Sequence, residues 1–541
     1  MSTAELPDRT EVLIAGGGPV GLAAAVELGQ RGITCVVIEP RATVSHARPR
    51  CKTISIRSME HLRRWGIAHR LRERAPLPVA WSQDVVFCTS LTGHELSRFS
   101  GVLGLSTDGY RSAETGQQAP QYVLEELLRD VVEELPAVTL ATGRRVTGLD
   151  QDDDAVEIAV ADDAGERSVI SAAYVVGCDG PRSAVRAAIG ADYVGEHALR
   201  PNFGMVFQAP ELLERTAHGP AVQYWILNRI APSLMGPIDL HGTWWIIAFG
   251  VDRTTGERDA SAIIEGAAGT SVQATVLSHD PWTARMQLVD RARDRRVFIA
   301  GDAAHLNPPF GGHGLNTGIG DAVDLGWKLA AVLQGWGGPG LLDSYEAERR
   351  PIQTRVIAAA AANNRVLAAD LLDDDADAPG ERGERARHEA DSRIQADKRA
   401  EFHALSLVLD LAYEKSPVIA ADGPGPVLGD DDDPVTEARP GARLPHAWVA
   451  PGRSMHDELG SGMTLLALGD DPFERLVRAA DDRGVPLRVV RQDSTLRDHY
   501  GAALMLVRPD QHVAWCADRM PDDVAGLIDH VRGAGTSGGG R

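Results

Sequence analysis

Three stretches of this 541-residue chain combine residue types able to hold a phosphate- and sugar-bearing ligand. The first is Gly16-x-Gly18-x-x-Gly21, set between the apolar run 11–15 and the helix-forming stretch 22–30, with Glu39 eighteen residues beyond Gly21 at the end of a second apolar run. Gly16 permits a tight turn, Gly18 keeps a Cβ out of the path of a pyrophosphate, and Gly21 lets helix and strand pack closely. The helix N-terminus presents amides and a positive dipole end to phosphate, and Glu39 can accept hydrogen bonds from ribose hydroxyls. This is the full context of a dinucleotide site, although the spacing leaves FAD and NAD both open. The second stretch runs from the apolar strand 296–300 into Gly301-Asp302-Ala-Ala-His305, then through Pro308, Pro309, Gly311, Gly312 and Gly314 into a helix predicted over 316–333. An aspartate at a strand end can accept a hydroxyl hydrogen bond while the following amides face an anion. The third is Cys178-Asp179-Gly180-Pro-Arg-Ser183-x-x-Arg186. There Arg186 reads equally as a ligand contact or a surface ion pair.

Composition limits what surrounds these motifs. Hydrophobic residues make up 43 % and charged residues 24 %, an ordinary globular balance with room for several domains. The net charge of −21 repels phosphate backbones and anionic lipid, which argues against nucleic acid and membrane as partners. No apolar run approaches a membrane span, and the first residues carry no basic segment followed by an apolar one, so a cytoplasmic location is expected. Five scattered cysteines without CxxC or Cys/His spacing predict neither a disulfide framework nor a metal site. With only four lysines (Lys52, Lys328, Lys398, Lys415), recognition of anions falls almost entirely to arginine.

The elements that must position the motifs are legible in outline. Residues 11–39 read as one βαβ unit, after which the regular alternation stops until the strand ending at Asp179. Between them, 121–134 reads as a helix and 156–160 and 168–170 as strands of a small sheet. Aromatic-rich strands at 223–227 and 243–249 mark a second sheet. A helix is expected over 345–366, and the charge-dense run 370–400 reads as a solvated helix with a loop. The Gly/Pro/Asp stretch 423–434 reads as a linker, and α/β alternation returns over 439–532. Gly535-Thr-Ser537-Gly-Gly539 fits a hydrolase pattern, but it sits in a predicted disordered tail without the strand and helix that pattern needs.

Taken together with Asp324–Lys328 and Tyr345-Glu-x-Glu-Arg349-Arg-Pro351, the three motifs resemble the signatures of class A flavoprotein monooxygenases, the aromatic hydroxylase family. The likeness extends over nearly the whole chain and is nearest to antibiotic-pathway oxygenases acting on polyketide or indolocarbazole compounds. It implies an α/β fold: a Rossmann-like FAD-binding domain with an inserted β-sheet substrate domain and a C-terminal thioredoxin-like domain. On that plan 1–80, 116–190 and 286–400 form the FAD-binding parts, 81–115 and 191–285 the substrate domain, and 401–438 a helix and linker. The thioredoxin-like domain then covers 439–532 and the tail 533–541.

The resemblance also implies roles. Gly16, Gly18, Pro19, Val20 and Gly21 would cradle FAD, Glu39 hold its adenosine ribose, Arg41 cover the adenine or its phosphate, and Asp302 hold the ribityl chain. Arg50 and Gln121 stand where the family has flavin-contacting side chains. Asp179 would serve pyrophosphate and nicotinamide contacts, and the amides near Gly314, Leu315 and Asn316 would meet the anionic edge of reduced flavin. The Pro309 carbonyl matches a position beside the reacting flavin edge. The implied reaction is reduction of flavin by NADPH or NADH, addition of O2 at C4a, and transfer of OH from the hydroperoxide to a phenolic ring. A base for the phenol is not identifiable from sequence, with His305, His313, His241 and Tyr224 candidates by type only. Tyr224, Trp225, Trp244, Trp245 and Phe310 are candidates to line an aromatic pocket. Expected partners are therefore an aromatic small molecule, O2 and NAD(P)H, and a homo-oligomer is left open. The alternatives are a flavin reductase or dehydrogenase on the same fold, or a non-catalytic FAD-binding protein that sequesters a metabolite. The C-terminal unit, lacking CxxC, reads as structural and not redox-active.

Overall fold

The computed structural model describes residues 6–48, 52–106, 111–197, 200–366, 371, 375–421, 437–469 and 472–535. Arg50 and the whole of the 423–434 linker lie outside this set, as does nearly all of the GxSxG-like tail. The apolar strand Arg9–Ala15 leads through the glycine turn into the helix Pro19–Gly29, which starts on a proline whose missing N–H costs a helix nothing at that position. The next strand, Cys35–Glu39, is buried along its whole length. Both strands read as unbroken apolar runs because a parallel sheet is covered on each face.

The main sheet follows the order Arg293–Asp294, Val297–Ile299, Arg167–Gly177, Arg9–Ala15, Cys35–Glu39, Val138–Thr142. The strands that lead into the three motifs therefore lie side by side, with Ala15 paired to Gly177 and Gly177 to Ile299. The small sheet expected at 156–170 is not separate. Its strand continues as Arg167–Gly177, so an antiparallel meander runs directly into the parallel core.

A seven-stranded second sheet has the order Thr275–Thr283, Pro201–Gln208, Thr243–Phe249, Ser233–Pro237, Gln223–Ile226, Val85–Cys88, Glu95–Phe99. Its two faces are both buried and use alternate residues of each strand. Tyr224, Ile226, Trp244 and Ile246 pack toward the helix Arg253–Ala268, while Trp225, Trp245, Phe249 and Phe87 pack on the other side with Phe310 and Phe402.

The helix predicted from 316 begins three residues earlier, as His313–Leu333, because Gly311 and Gly312 both take left-handed φ (+81° and +69°) and turn the chain into it. The run 370–400 is corrected as well. Its helix, Gly380–Phe402, buries a stripe of Gly383, Ala386, Ala390, Ile394, Lys398 and Glu401. In the C-terminal unit the strands Met463–Leu468, Leu487–Gln492, Leu504–Val507 and Val513–Ala517 stand in the order second, first, third, fourth, with the first pair parallel and the rest antiparallel. That is the thioredoxin-like arrangement.

Candidate active site

The glycine turns meet at one side chain. A Cβ on Gly301 would lie 3.0 Å from Val20 Cγ2, and one on Gly318 only 2.6 Å from the same atom, so Val20 of the first motif is seated against both ends of the second. Gly16 (φ +101°) turns under the carbonyl of Cys178, which a Cβ would strike at 2.4 Å, and a Cβ on Gly21 would fall 1.9 Å from the Gly16 oxygen. Gly18 differs. Nothing lies within 4 Å of where its Cβ would stand, at the first cap of the helix Pro19–Gly29, whose opening amides have no partner inside the helix. Packing demands the other four of these glycines, whereas Gly18 keeps open a space that only a ligand would need.

Around that space the acidic side chains are already oriented. Glu39 is buried and accepts hydrogen bonds from the Gly17 amide (2.8 Å), the Arg41 amide (2.9 Å) and Arg41 Nε (2.7 Å). Arg41 reaches on to Glu125 (2.7 Å), one turn along from Gln121, the first residue of the helix Gln121–Glu133. Burial pushes the Glu125 carboxyl above its ordinary range, although Arg41 and Arg129 oppose this. Asp179 Oδ2 accepts from the amides of Ala184 (2.7 Å) and Val185 (3.2 Å), while its buried Oδ1 has no partner among the described residues. Arg186 forms no ion pair among the described residues. It lies 4.0 Å over the Tyr193 ring and donates to the carbonyls of Pro181 and Ala303.

Asp302 is exposed in the turn Gly301–Ala303, and its backbone carbonyl accepts the Tyr193 hydroxyl. The turn is braced from beneath by Asp321, a residue that no motif singles out. Its carboxylate is fully buried and takes the Gly301 amide (3.2 Å), His305 Nε2 (2.9 Å), Arg349 Nε (2.8 Å) and Gln353 Nε2 (3.1 Å). Burial raises its pKa, but Arg349 and His305 outweigh that and hold it at about 2. The same contacts remove His305 from the candidate bases, since it is buried against a structural carboxylate.

At the start of the helix His313–Leu333, Gly314 and Leu315 precede an Asn316 whose side chain is fully engaged. Its Oδ1 accepts from the Ser55 amide (2.9 Å) and Ser58 Oγ (2.7 Å), and its Nδ2 donates to the carbonyls of Thr53 (2.9 Å) and Gly312 (2.7 Å). This leaves its backbone, not its side chain, for a ligand. The Pro309 carbonyl accepts the Gly312 amide at 3.1 Å, closing a turn on the exposed side of the loop. His313 is buried, and its Nε2 has no partner among the described residues. Burial lowers its pKa to about 4, so it stays neutral. His241 is exposed at a hairpin turn remote from these motifs in the sheet order.

Of the candidate pocket residues, Trp225, Trp245 and Phe310 share one aromatic cluster, with Trp225 and Phe310 centroids 6.1 Å apart and Phe249 to Phe310 6.0 Å. Tyr224 and Trp244 are corrected. Strand alternation turns them to the opposite face, where the Tyr224 hydroxyl donates to Gly219 O (2.5 Å) and accepts from the Ala221 amide (2.9 Å). Two lysines cap the indoles of the first cluster, Lys52 Nζ 3.8 Å from the Trp245 centroid and Lys398 Nζ 4.3 Å from that of Trp225. Sequence reasoning missed Lys398 and its partner Glu401. Their continuation of the Ala386-Ala390-Ile394 stripe was the available signal.

The open space beside Gly18, the buried Glu39 next to it and the braced second glycine turn fit an FAD-dependent hydroxylase. Comparison with known proteins agrees: residues 9–360 match the FAD binding domain family and residues 437–534 the aromatic-ring hydroxylase C-terminal family. The chain belongs to the FAD-dependent aromatic hydroxylases. It is similar to the tetracenomycin A2 monooxygenase-dioxygenase of Streptomyces glaucescens, with 31 % identity over 100 % of this chain and 99 % of that protein. Among solved structures it resembles the rebeccamycin biosynthetic enzyme RebC with bound 7-carboxy-K252c (35 % identity, TM-score 0.90, 98 % of this chain and 100 % of that one). It also resembles aklavinone-11 hydroxylase in complex with FAD and aklavinone (28 % identity, TM-score 0.82, 97 % and 99 %).

Proposed function

We propose that this enzyme inserts one oxygen atom of O2 into a phenolic, polycyclic aromatic natural-product intermediate at the expense of NAD(P)H. One observation carries the reading: Val20 seated against Gly301 and Gly318, which joins two glycine turns distant in sequence into a single elongated cradle. FAD, when bound, supplies the redox chemistry, accepting a hydride and activating O2. The chain supplies binding, orientation and exclusion of water. Gly16, Gly18, Pro19, Val20 and Gly21 take the pyrophosphate on the helix N-terminus, and Glu39, held by Gly17 and Arg41, takes the ribose hydroxyls. Arg41 and Gln121 fix the adenosine side and Asp302 takes the ribityl hydroxyls. Asp179, whose buried Oδ1 has no partner among the described residues, would serve the pyrophosphate and nicotinamide contacts. Amides of Gly314, Leu315 and Asn316, at a helix N-terminus, would face the flavin ring and favour negative charge there, and the Pro309 carbonyl would border the ring.

The polycyclic preference is supported by the cluster of Trp225, Trp245, Phe249 and Phe310, whose flat faces match fused rings, and by the compounds bound in the similar structures. The interior of the second sheet over 191–285, with 81–115, forms the substrate domain on this reading. Among the described residues no helix is long and apolar enough to cross a membrane. The test is to purify the protein, record its visible spectrum and supply NADPH or NADH with tetracyclic and anthraquinone phenols under 18O2. The expected result is a yellow protein, ligand-stimulated NAD(P)H oxidation and a product heavier by one labelled oxygen. Oxidation without oxygen insertion would make it a reductase, and no oxidation at all a binding protein.

A further inference from the structure

Trp225 carries a buried donor that the hydroxylase reading does not use. Its side chain is fully buried, and its indole Nε1 has no hydrogen-bond partner among the described residues. The rings around it bring no oxygen or nitrogen acceptor: Phe87 stacks at 5.4 Å between centroids, Phe249 lies at 5.8 Å, Phe310 at 6.1 Å and Phe402 at 6.5 Å. Lys398 covers the indole face at 4.3 Å with another donor. An N–H left unpaired in such a place is costly, and a partner from outside the chain would relieve that cost. Trp244, on the opposite face of the same sheet, is equally buried with an equally unpaired Nε1, so burial by itself does not mark a site. The surroundings separate the two. The cluster around Trp244 includes, among the described residues, none from the glycine motifs, whereas Trp225 shares its cluster with Phe310, which stands between Pro309 and Gly311 in the second glycine loop. A small cavity whose lining includes Thr53, Leu103, Gly311, Gly312, Glu401 and Phe402 adjoins that cluster, with Leu103 and Phe402 common to both. Lys52, 3.8 Å over the Trp245 ring, is again a donor, and the Glu401 carboxylate accepts from Lys398 at 2.7 Å. A flat guest in this place meets N–H groups and must bring acceptor oxygens itself.

We propose that Trp225 is a specificity-determining residue for the hydroxylation, its Nε1–H donating to a ring carbonyl oxygen of a polycyclic, quinone-type substrate. The inference rests on the hydroxylase reading, because that reading assigns the aromatic cluster to the substrate and the turn 309–312 to the flavin. It narrows the substrate from fused phenols in general to those that carry a carbonyl on the ring system. A site with a buried donor discriminates strongly against an analogue that lacks the acceptor, because that analogue leaves the donor unpaired in the complex as well. The aromatic faces alone would bind a fused hydrocarbon and its quinone without such a distinction.

The test measures binding of two probes of the same outline, 2-hydroxyanthraquinone and 2-hydroxyanthracene, to the full-length, FAD-loaded protein by equilibrium dialysis without NAD(P)H. The wild type is expected to prefer the quinone by roughly tenfold, the worth of one hydrogen bond, although the anthracene is the more apolar of the two. W225F keeps an aromatic ring under Lys398 but removes the donor, and it should lose that preference. W244F deletes the unpaired N–H on the opposite face and should keep it. Because the readout is a ratio of two affinities, a general loosening of the core in W225F weakens both probes and does not imitate the expected result. A wild type that binds the anthracene as tightly as the quinone would overturn the proposal without recourse to any variant. A preference that survives in W225F, or that vanishes equally in W244F, would overturn it too. If the wild type retains no FAD or binds neither probe, it is the hydroxylase reading itself that fails, and the proposal falls with it.

Discussion

Glycines that look alike in sequence are held by different forces, and substitution should separate them. Gly18 has an ordinary extended φ and open space at its Cβ position, so G18A should melt with the wild type yet bind FAD roughly tenfold more weakly, as the methyl enters the phosphate path. Gly21 has no such space. G21A should lower stability by about 3 kcal/mol through overpacking against the Gly16 carbonyl, read as a fall in melting temperature of the apoprotein. His313 gives a pH signature. Its pKa falls from 6.5 in the unfolded chain to about 4 on burial, so below pH 6.5 the unfolded state binds a proton that the folded state refuses. Stability should therefore fall as pH drops from 6.5 toward 4, and H313Q should show a slope against pH smaller by about one proton across that window. Urea midpoints measured at steps through it would check this, and an identical slope in H313Q would refute it.

Among elements, the long helix His313–Leu333 depends on a partner from the C-terminal unit. Asp324 and Lys328 on this helix and Glu348 on the helix Ser344–Arg365 form a fully buried charge cluster completed by Arg508. Arg508 reaches Glu348 Oε1 at 2.6 Å, Asp324 Oδ1 at 2.9 Å and Asp510 Oδ2 at 2.6 Å. Burial beside Glu348 pushes Asp324 well up, whereas Arg508 and Lys328 overcome the burial of Glu348 and hold it well down. Removing the guanidinium strands carboxylates in the interior, so R508M should cost about 3–5 kcal/mol in denaturant titration. R508K, with a compact ammonium in place of the fork, should recover only part of that loss.

For the molecule as a whole, these buried contacts make the C-terminal unit part of the FAD domain's foundation. Glu60 accepts from Arg443 Nε at 2.8 Å, and Arg57 donates to the Asp510 carbonyl at 2.6 Å, so the helix Ile56–Arg64 is tied to the same unit. Trp327 and Trp336 share one apolar cluster with Ile528 and Leu527. A chain ending at residue 436 should accordingly fail to yield soluble, FAD-retaining protein, and the full chain should unfold in one calorimetric transition shared by both units. Two separate transitions would show them to be independent. Cys516, the one cysteine in that unit, has a pKa raised to about 11 by burial, so it stays a thiol at neutral pH.

What could be read in the chain follows from how local each constraint is. The first cradle was legible because strand, turn, helix and Glu39 lie within about thirty consecutive residues, so that backbone sterics and one βαβ crossover fix their geometry. The sheet aromatics were legible as types and strands, yet which side of the sheet each one faces depended on register, and this separated Trp225 from Tyr224. The support beneath the second turn was not legible. Asp321 and Lys398 look like surface charges until helices distant in sequence close over them, and the bonds that make their burial tolerable come from Arg349, His305 and Glu401 after the fold has formed. Short-range stereochemistry wrote the cofactor motif into the chain, while long-range packing chose which charges lie inside.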